Sequence, residues 1–98
     1  DHASAPAATT ADRVRLLVDR RLPDGPLDRA SVAEALRVSV RTLQRQLRRE
    51  GASLSRLVRE RRLLRARALL DEGKSMSEAA FEAGYSEASA LHRALKRE

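Results

Sequence analysis

Apolar residues recur at the three-and-four spacing that places them on one side of an α-helix through most of the chain. Val14, Leu17, Val18 and Leu22 predict a first helix over about residues 11–22, capped by Thr9 or Thr10 and ended by Pro23-Asp24-Gly25-Pro26. Leu27 enters the core next, and Ser31-Val32-Ala33-Glu34 has the spacing of a capping box, which predicts a second helix over about 32–37. Ser39 suits the N-cap of a third helix that carries Leu43 and Leu47 on one face and runs to Gly51, a residue able to close it in a left-handed conformation. A long helix follows over about 54–72, capped by Ser53 and ended by Gly73. Its apolar residues form two groups, Leu54, Leu57 and Val58, then Leu63, Ala66, Leu69 and Leu70, as expected of a connector that packs each half against a different neighbour. Ser75 and Glu78 repeat the capping-box spacing before a helix face of Met76, Ala79, Ala80 and Ala83. Gly84 makes a turn, Tyr85 anchors it, and Ser86 is expected to cap a last helix through Lys96. The fold class is all-α, with six to seven helices.

The third and last helices are copies of one another. Residues 42–50 read TLQRQLRRE and residues 90–98 read ALHRALKRE, so Leu43, Arg45, Leu47, Arg49 and Glu50 return at +48 as Leu91, Arg93, Leu95, Arg97 and Glu98. Ala33, Val38 and Ser39 return at +47 as Ala80, Tyr85 and Ser86, which assigns one extra residue to the start of the second copy's helix. A short helix, a tight turn and a longer basic helix, occurring twice, make two helix-turn-helix units. The expected organisation is a flexible linker over 1–12 leading from a missing N-terminal domain, a first unit over 11–52, a connecting helix over 53–73 and a second unit over 74–98. Arg37 stands where such turns often carry glycine, so a slightly different first turn is expected. At 1.5 Å per residue the connector's roughly 19 residues extend about 28 Å, close to the ~34 Å between major-groove faces on one side of a duplex.

Composition narrows the function. The 98 residues suffice for one compact domain with a small core. Absence of cysteine excludes disulfides, zinc ribbons and thiol chemistry, and no apolar run is long enough to span a bilayer. A soluble, cytoplasmic protein is expected. Lys and Arg number 20 against 14 Asp and Glu, for a net +6, and Lys74 and Lys96 are the only lysines. The arginine fork matches phosphate and the guanine edge, although a GC-rich genome produces the same bias.

Several stretches resemble the DNA-binding domain of the AraC/XylS family of bacterial transcription regulators. They are Ala33, Val38-Ser39 and Leu43-x-Arg45-x-Leu47 in the first unit, and Arg62-Leu63-x-x-Ala66-x-x-Leu69-Leu70 in the connector. In the second unit the match is Glu78-x-Ala80-x-x-x-Gly84-Tyr85-Ser86-x-x-Ser89-x-Leu91-x-Arg93-x-Leu95-Lys96, which is the family's signature. The resemblance runs from about Ala11 to the last residue. It implies two recognition helices, about 40–50 and 87–97, placed in successive major grooves of double-stranded DNA. It also implies RNA polymerase as a candidate partner, and effector binding and dimerisation through the missing N-terminal domain. Leu91 and Leu95 replace the family's usual phenylalanines, which predicts a smaller second core. The family pattern continues with a Gly-x-Ser/Thr-Pro-x-x-Tyr-Arg segment beyond the position of Glu98, so a truncated C-terminal end is expected.

Opposite Leu43 and Leu47 lie Arg41, Gln44, Arg45 and Arg48, the expected base-contacting residues of the first unit, with the resemblance assigning base contact to the first three. Arg45 has the geometry for guanine N7 and O6, and Gln44 for adenine N6 and N7. Ala88, Ser89, His92 and Arg93 are the second unit's candidates, joined by Glu87, which either accepts from cytosine N4 or simply favours its helix dipole. Ser39, Thr42, Ser86 and Lys96 are the candidates for the DNA backbone. Arg59, Arg61, Arg62, Arg65 and Arg67 spread around the connector as solvent charges or partners for Glu60, Asp71 and Glu72. Phe81 lies off the apolar face of its helix, where it is able to touch a partner, although packing against the connector is the expected role; Met76 belongs to the core.

Other function classes fit less well. The histidines are His2 in the tail and His92 in a basic helix, and no paired-carboxylate, metal-ligand or phosphate-loop motif accompanies them, so no catalytic residue, metal or cofactor is assigned. The alternative is a helical protein-protein interaction adaptor with a basic surface, which calls for an exposed apolar groove where this chain has arginine. Membrane-surface and single-stranded RNA binding need aromatic or bulky apolar residues, and Phe81 and Tyr85 are the only aromatics.

Overall fold

A computed structural model describes residues 8–97. Six α-helices make up its regular structure: α1 Thr10–Arg21, α2 Arg29–Ala35, α3 Val40–Arg49, α4 Leu54–Asp71, α5 Met76–Glu82 and α6 Ala88–Lys96. Positions 1–7 of the expected linker and Glu98, the last match of the repeat and the expected truncation point, lie outside the described residues. Thr10, Ala11 and Asp12 belong to α1 rather than to the linker expected over 1–12.

Two separate cores sit at the two ends of α4. The first gathers Val14 and Val18 of α1, Val32 and Ala33 of α2, Leu43 and Leu47 of α3, and Leu57 and Val58 of α4. The second gathers Leu63, Ala66 and Leu69 of α4 with Ala79, Ala80 and Ala83 around α5 and Leu91 of α6. The split apolar pattern of the connector is therefore a division of labour along one rod of 18 residues, about 27 Å long. The second core is built on four alanines, and Tyr85, Met76 and Leu95 pack against it half-buried. Helices α2 and α3 form the first helix-turn-helix pair and α5 and α6 the second, while α1 packs on both α3 and α4.

Four of the six helix starts carry a side-chain cap. Thr9 and Ser75 close reciprocal capping boxes with Asp12 and Glu78, and Ser39 and Ser53 accept from the N–H of Thr42 and Arg56. These bonds satisfy N–H groups that have no partner inside the helix. Backbone donors hold the carboxyls of Asp12 and Glu78 below the usual carboxylate range. The other two starts differ from expectation. Helix α2 begins at Arg29 behind Asp28, so Ser31 lies in its first turn and does not cap it. The Asp28 side chain accepts no capping hydrogen bond from that turn's backbone, although the Ser31 hydroxyl holds its carboxyl low. Helix α6 has Glu87, not Ser86, at its N-cap position, with no side-chain cap bond.

That one-residue shift explains the change of offset in the repeat. The first turn is closed by Arg37 N–H to Glu34 and Val38 N–H to Ala33, and the second by Gly84 N–H to Phe81 and Tyr85 N–H to Ala80. Every partner is 47 residues on. The N-caps Ser39 and Glu87 are 48 apart. Ser86 is therefore the additional residue, and it lies in the turn before α6 rather than within the helix. The expected difference in turn geometry at Arg37 is not found: its φ of 61° is left-handed, as is the 88° of Gly84.

Two of the connector's arginines pair with carboxylates of neighbouring helices. Arg61 grips Asp19 of α1 with two nitrogens, Nε at 2.9 Å, and Arg65 lies 3.8 Å from Glu82 of α5. Phe81 does not pack against α4; it is 66% exposed.

Candidate nucleic-acid interface

Helix α3 presents a clear division of faces. Leu43 and Leu47 are buried, and Arg41, Gln44, Arg45 and Arg48 are all exposed on the remaining surface. The helix is fixed at both ends. Ser39 accepts the Thr42 N–H at 3.0 Å and donates its hydroxyl to Thr42 Oγ1 at 2.9 Å. At the other end Glu50 reaches α1, where its carboxylate accepts the N–H groups of Thr10 and Ala11 at 3.0 and 2.8 Å. Gln46 adds an acceptor for the Thr10 hydroxyl at 2.9 Å. The Ala11 N–H is the main cause of a lowered Glu50 carboxyl pKa, the expected effect of donors that favour the charged form. Anchoring of this kind leaves the arginine face with a defined direction.

Helix α6 repeats the arrangement with different chemistry. Leu91 is fully buried, and Ser89, His92, Arg93 and Lys96 are exposed at the positions of Arg41, Gln44, Arg45 and Arg48. Ala88 corresponds to Val40 and is half-buried like it, on the core side of the presented face. Ser86 and Glu87 are exposed in the turn. The first face thus carries three cations and an amide, and the second two cations, an imidazole and a hydroxyl.

Between the units lies a seam. Gly84 packs so closely against the end of α1 and the middle of α4 that a Cβ there would stand 3.0 Å from Leu22 Cδ2 and 3.3 Å from Arg62 Nε. Beside the seam runs a cleft of about 1040 Å³, lined by the start of α2, the Gln44 and Arg48 side of α3, the first turns of α4, Arg62 and Tyr85. Arg29, Arg59 and Arg62 therefore join two of the expected DNA-reading residues at one site. Sequence spacing gave no sign of this, because the residues come from four separated segments. Among the described residues no group of three or more His, Asp or Glu side chains could hold a metal ion, and no helix is long and apolar enough to cross a membrane.

Two helix-turn-helix units on a shared helix, each with a buried leucine face and an exposed basic face, define a DNA-binding domain. The chain belongs to the AraC/XylS-type helix-turn-helix family of transcription regulators: a family model described as a helix-turn-helix domain matches residues 32–98. It is 43% identical over 91 residues to the HTH-type transcriptional regulator VirS of Mycobacterium tuberculosis, a match covering 92% of this chain and 27% of that protein. It is 33% identical over 86 residues to the transcriptional activator RhrA of Rhizobium meliloti, covering 85% of this chain and 27% of that protein. The chain thus spans about a quarter of the length of these relatives. A DNA-binding transcriptional dual regulator from Escherichia coli K-12 has the same fold, with a TM-score of 0.88 at 26% identity over 96% of this chain and 85% of that one. Transcriptional regulator CdpR from Pseudomonas aeruginosa superposes with a TM-score of 0.76 at 34% identity over 90% of this chain and 28% of its own.

Proposed function

We propose that this domain reads a non-palindromic duplex site, with α3 in one major groove and α6 in the next, and so directs a bacterial transcription regulator to its promoter. The observation that carries the reading is the pairing of Arg45 and Arg93, exposed at equivalent positions of two helices whose leucine faces are buried in separate cores. Arg41, Gln44, Arg45 and Arg48 read bases in the first segment, and Ser89, His92 and Arg93 in the second, where Ala88 contributes at most a methyl contact. Ser39, Thr42, Ser86 and Lys96 meet phosphates, which set register and affinity rather than sequence preference. The different side chains on the two faces favour two different half-sites. An effector domain and a contact with RNA polymerase belong to the same proposal, in keeping with the regulator and activator titles of relatives much longer than this chain.

Selection from a randomised duplex library at two salt concentrations tests the reading, with Arg45→Ala in parallel. The expected result is an enriched motif covering two segments about one helical turn apart, with the variant losing preference in one segment only. Binding without any motif would leave the basic adaptor as the better account.

A further inference from the structure

The cleft between the units is a further cationic surface that borders the first recognition face and shares Gln44 and Arg48 with it. Four arginines line it, Arg29 at the start of α2, Arg48 on α3, and Arg59 and Arg62 on α4, against one carboxylate, that of Asp28. Arg29, Arg48 and Arg59 are exposed and Arg62 is half-buried, and none of the four forms an ion pair among the described residues. Arg62 is the unusual member. Its Nε is closed off from solvent and has no hydrogen-bond acceptor among the described residues. An unsatisfied buried donor is costly, all the more on a charged group. That Nε faces Gly84 in the seam, so it is the exposed part of the Arg62 side chain that lines the cleft with three further arginines, a gathering of positive charge that an anion between them would relieve.

The position of the cleft says where such charge would come from. A helix about 10–12 Å across fills a major groove about 12 Å wide, so the sugar-phosphate backbones run along both of its flanks. One flank of α3 carries Gln44 and Arg48, and those two residues form a wall of the cleft. Across from them stand α4 and Tyr85, the residue that leads into the turn before α6. With α3 and α6 in adjacent grooves, a strand that leaves the first groove for the second would pass over this cleft.

We infer that the cleft between α3, α4 and Tyr85 seats phosphates of the DNA strand joining the two contacted major grooves, with Arg62 donating to one of them and Arg29, Arg48 and Arg59 supplying the surrounding positive charge. The inference rests on the DNA-reading function proposed above. It gives the connecting helix a binding role in addition to that of a spacer, and this role is independent of base sequence.

The test measures affinity of this chain for a 30-base-pair duplex across a range of salt concentrations, for the wild type, Arg62→Gln, Arg62→Lys and Arg59→Gln. Each phosphate contact adds about 0.9 to the slope of log affinity against log salt, or about eightfold in affinity at 0.1 M salt. Arg62→Gln and Arg59→Gln are expected to lose a contact each, lowering affinity alike on every sequence and leaving the preferred motif unchanged. Arg62→Lys is expected to keep the slope. A methylphosphonate placed between the two contacted segments should erase the difference between wild type and Arg62→Gln. An unchanged slope in either glutamine variant whose circular dichroism matches the wild type overturns the inference, as does a variant that alters base preference. If Arg62→Gln does not fold, exposed Arg59 decides the matter by the same criteria. Wild-type binding that does not respond to salt would overturn the DNA reading itself, a result separate from any behaviour of the variants.

Discussion

The carboxylate of Glu50, the last residue of the first recognition segment, accepts the Ala11 N–H at 2.8 Å, so the end of α3 caps the beginning of α1. The same carboxylate takes the Thr10 N–H, while Thr9 serves Asp12. Replacing Glu50 with Ala is expected to cost about 1 kcal/mol, the usual scale of a lost helix cap, as measured by urea denaturation at pH 7. The pKa of Glu50 is depressed in the folded state, so its stabilisation is full above the ordinary glutamate pKa and is lost as pH falls through the lowered value. The gap between wild type and Glu50→Gln should accordingly narrow in acid; a gap that widened there would contradict the assignment.

Arg37 and Gly84 hold equivalent turn positions with φ of 61° and 88°. A side chain in the left-handed region costs roughly 1–2 kcal/mol, partly offset in a glycine by its freer unfolded chain. Arg37→Gly is therefore expected to stabilise the domain by about 0.5–1 kcal/mol. Gly84→Ala should destabilise it by more than that, since the new methyl meets Leu22 and Arg62. Thermal melts of the two variants should move in opposite directions.

The local grammar of the chain was legible. Thr9, Ser39, Ser53 and Ser75 cap the helices expected of them, and the two leucine groups of the connector enter two cores. Where the reading went astray, two residues competed for one role. Asp28 and Ser31 both suit an N-cap, and periodicity over a helix of seven residues cannot choose between them. Ser86 resembles Ser39, but the structural equivalent of Ser39 is Glu87: the change of offset shows that a residue is added, and only the turn bonds place it before the helix. Phe81 lies off the face shared by Met76, Ala79, Ala80 and Ala83, and its exposure follows from that placement. The Glu50 cap, the Arg61–Asp19 pair and the arginines of the cleft were hidden for a simpler reason: their partners lie tens of residues away in sequence.

The pair formed by Asp19 and Arg61 ties α1 to the connector with partial exposure of both side chains, 40% and 27%. Solvent screening keeps such a pair modest, so a double-mutant cycle with Asp19→Ala and Arg61→Ala should give a coupling of about 0.5–1 kcal/mol. Raising the salt concentration should shrink it. No coupling at low salt would indicate that the contact contributes nothing to stability.

Leu43 and Leu91 are both fully buried, but in different cores. Leu91→Ala should cost about 3 kcal/mol, and base preference should weaken in the segment read by α6 while that read by α3 persists. Leu43→Ala should do the reverse. Library selection on both variants, with stability measured alongside, distinguishes two semi-independent readers from a single cooperative one, for which both segments would fade together.

Because α4 is a continuous helix packed into both cores, it fixes angular phase together with distance. Inserting one residue at its centre would advance the second unit by only 1.5 Å and turn it by about 100°, pointing α6 away from the groove it should enter. Insertions of three or four residues nearly restore the phase, moving the unit by about 5 Å. The connector behaves like a screw thread with few usable stops, so the spacing between the two bound DNA segments can change only in coarse steps, or through a new way of seating one unit on the helix.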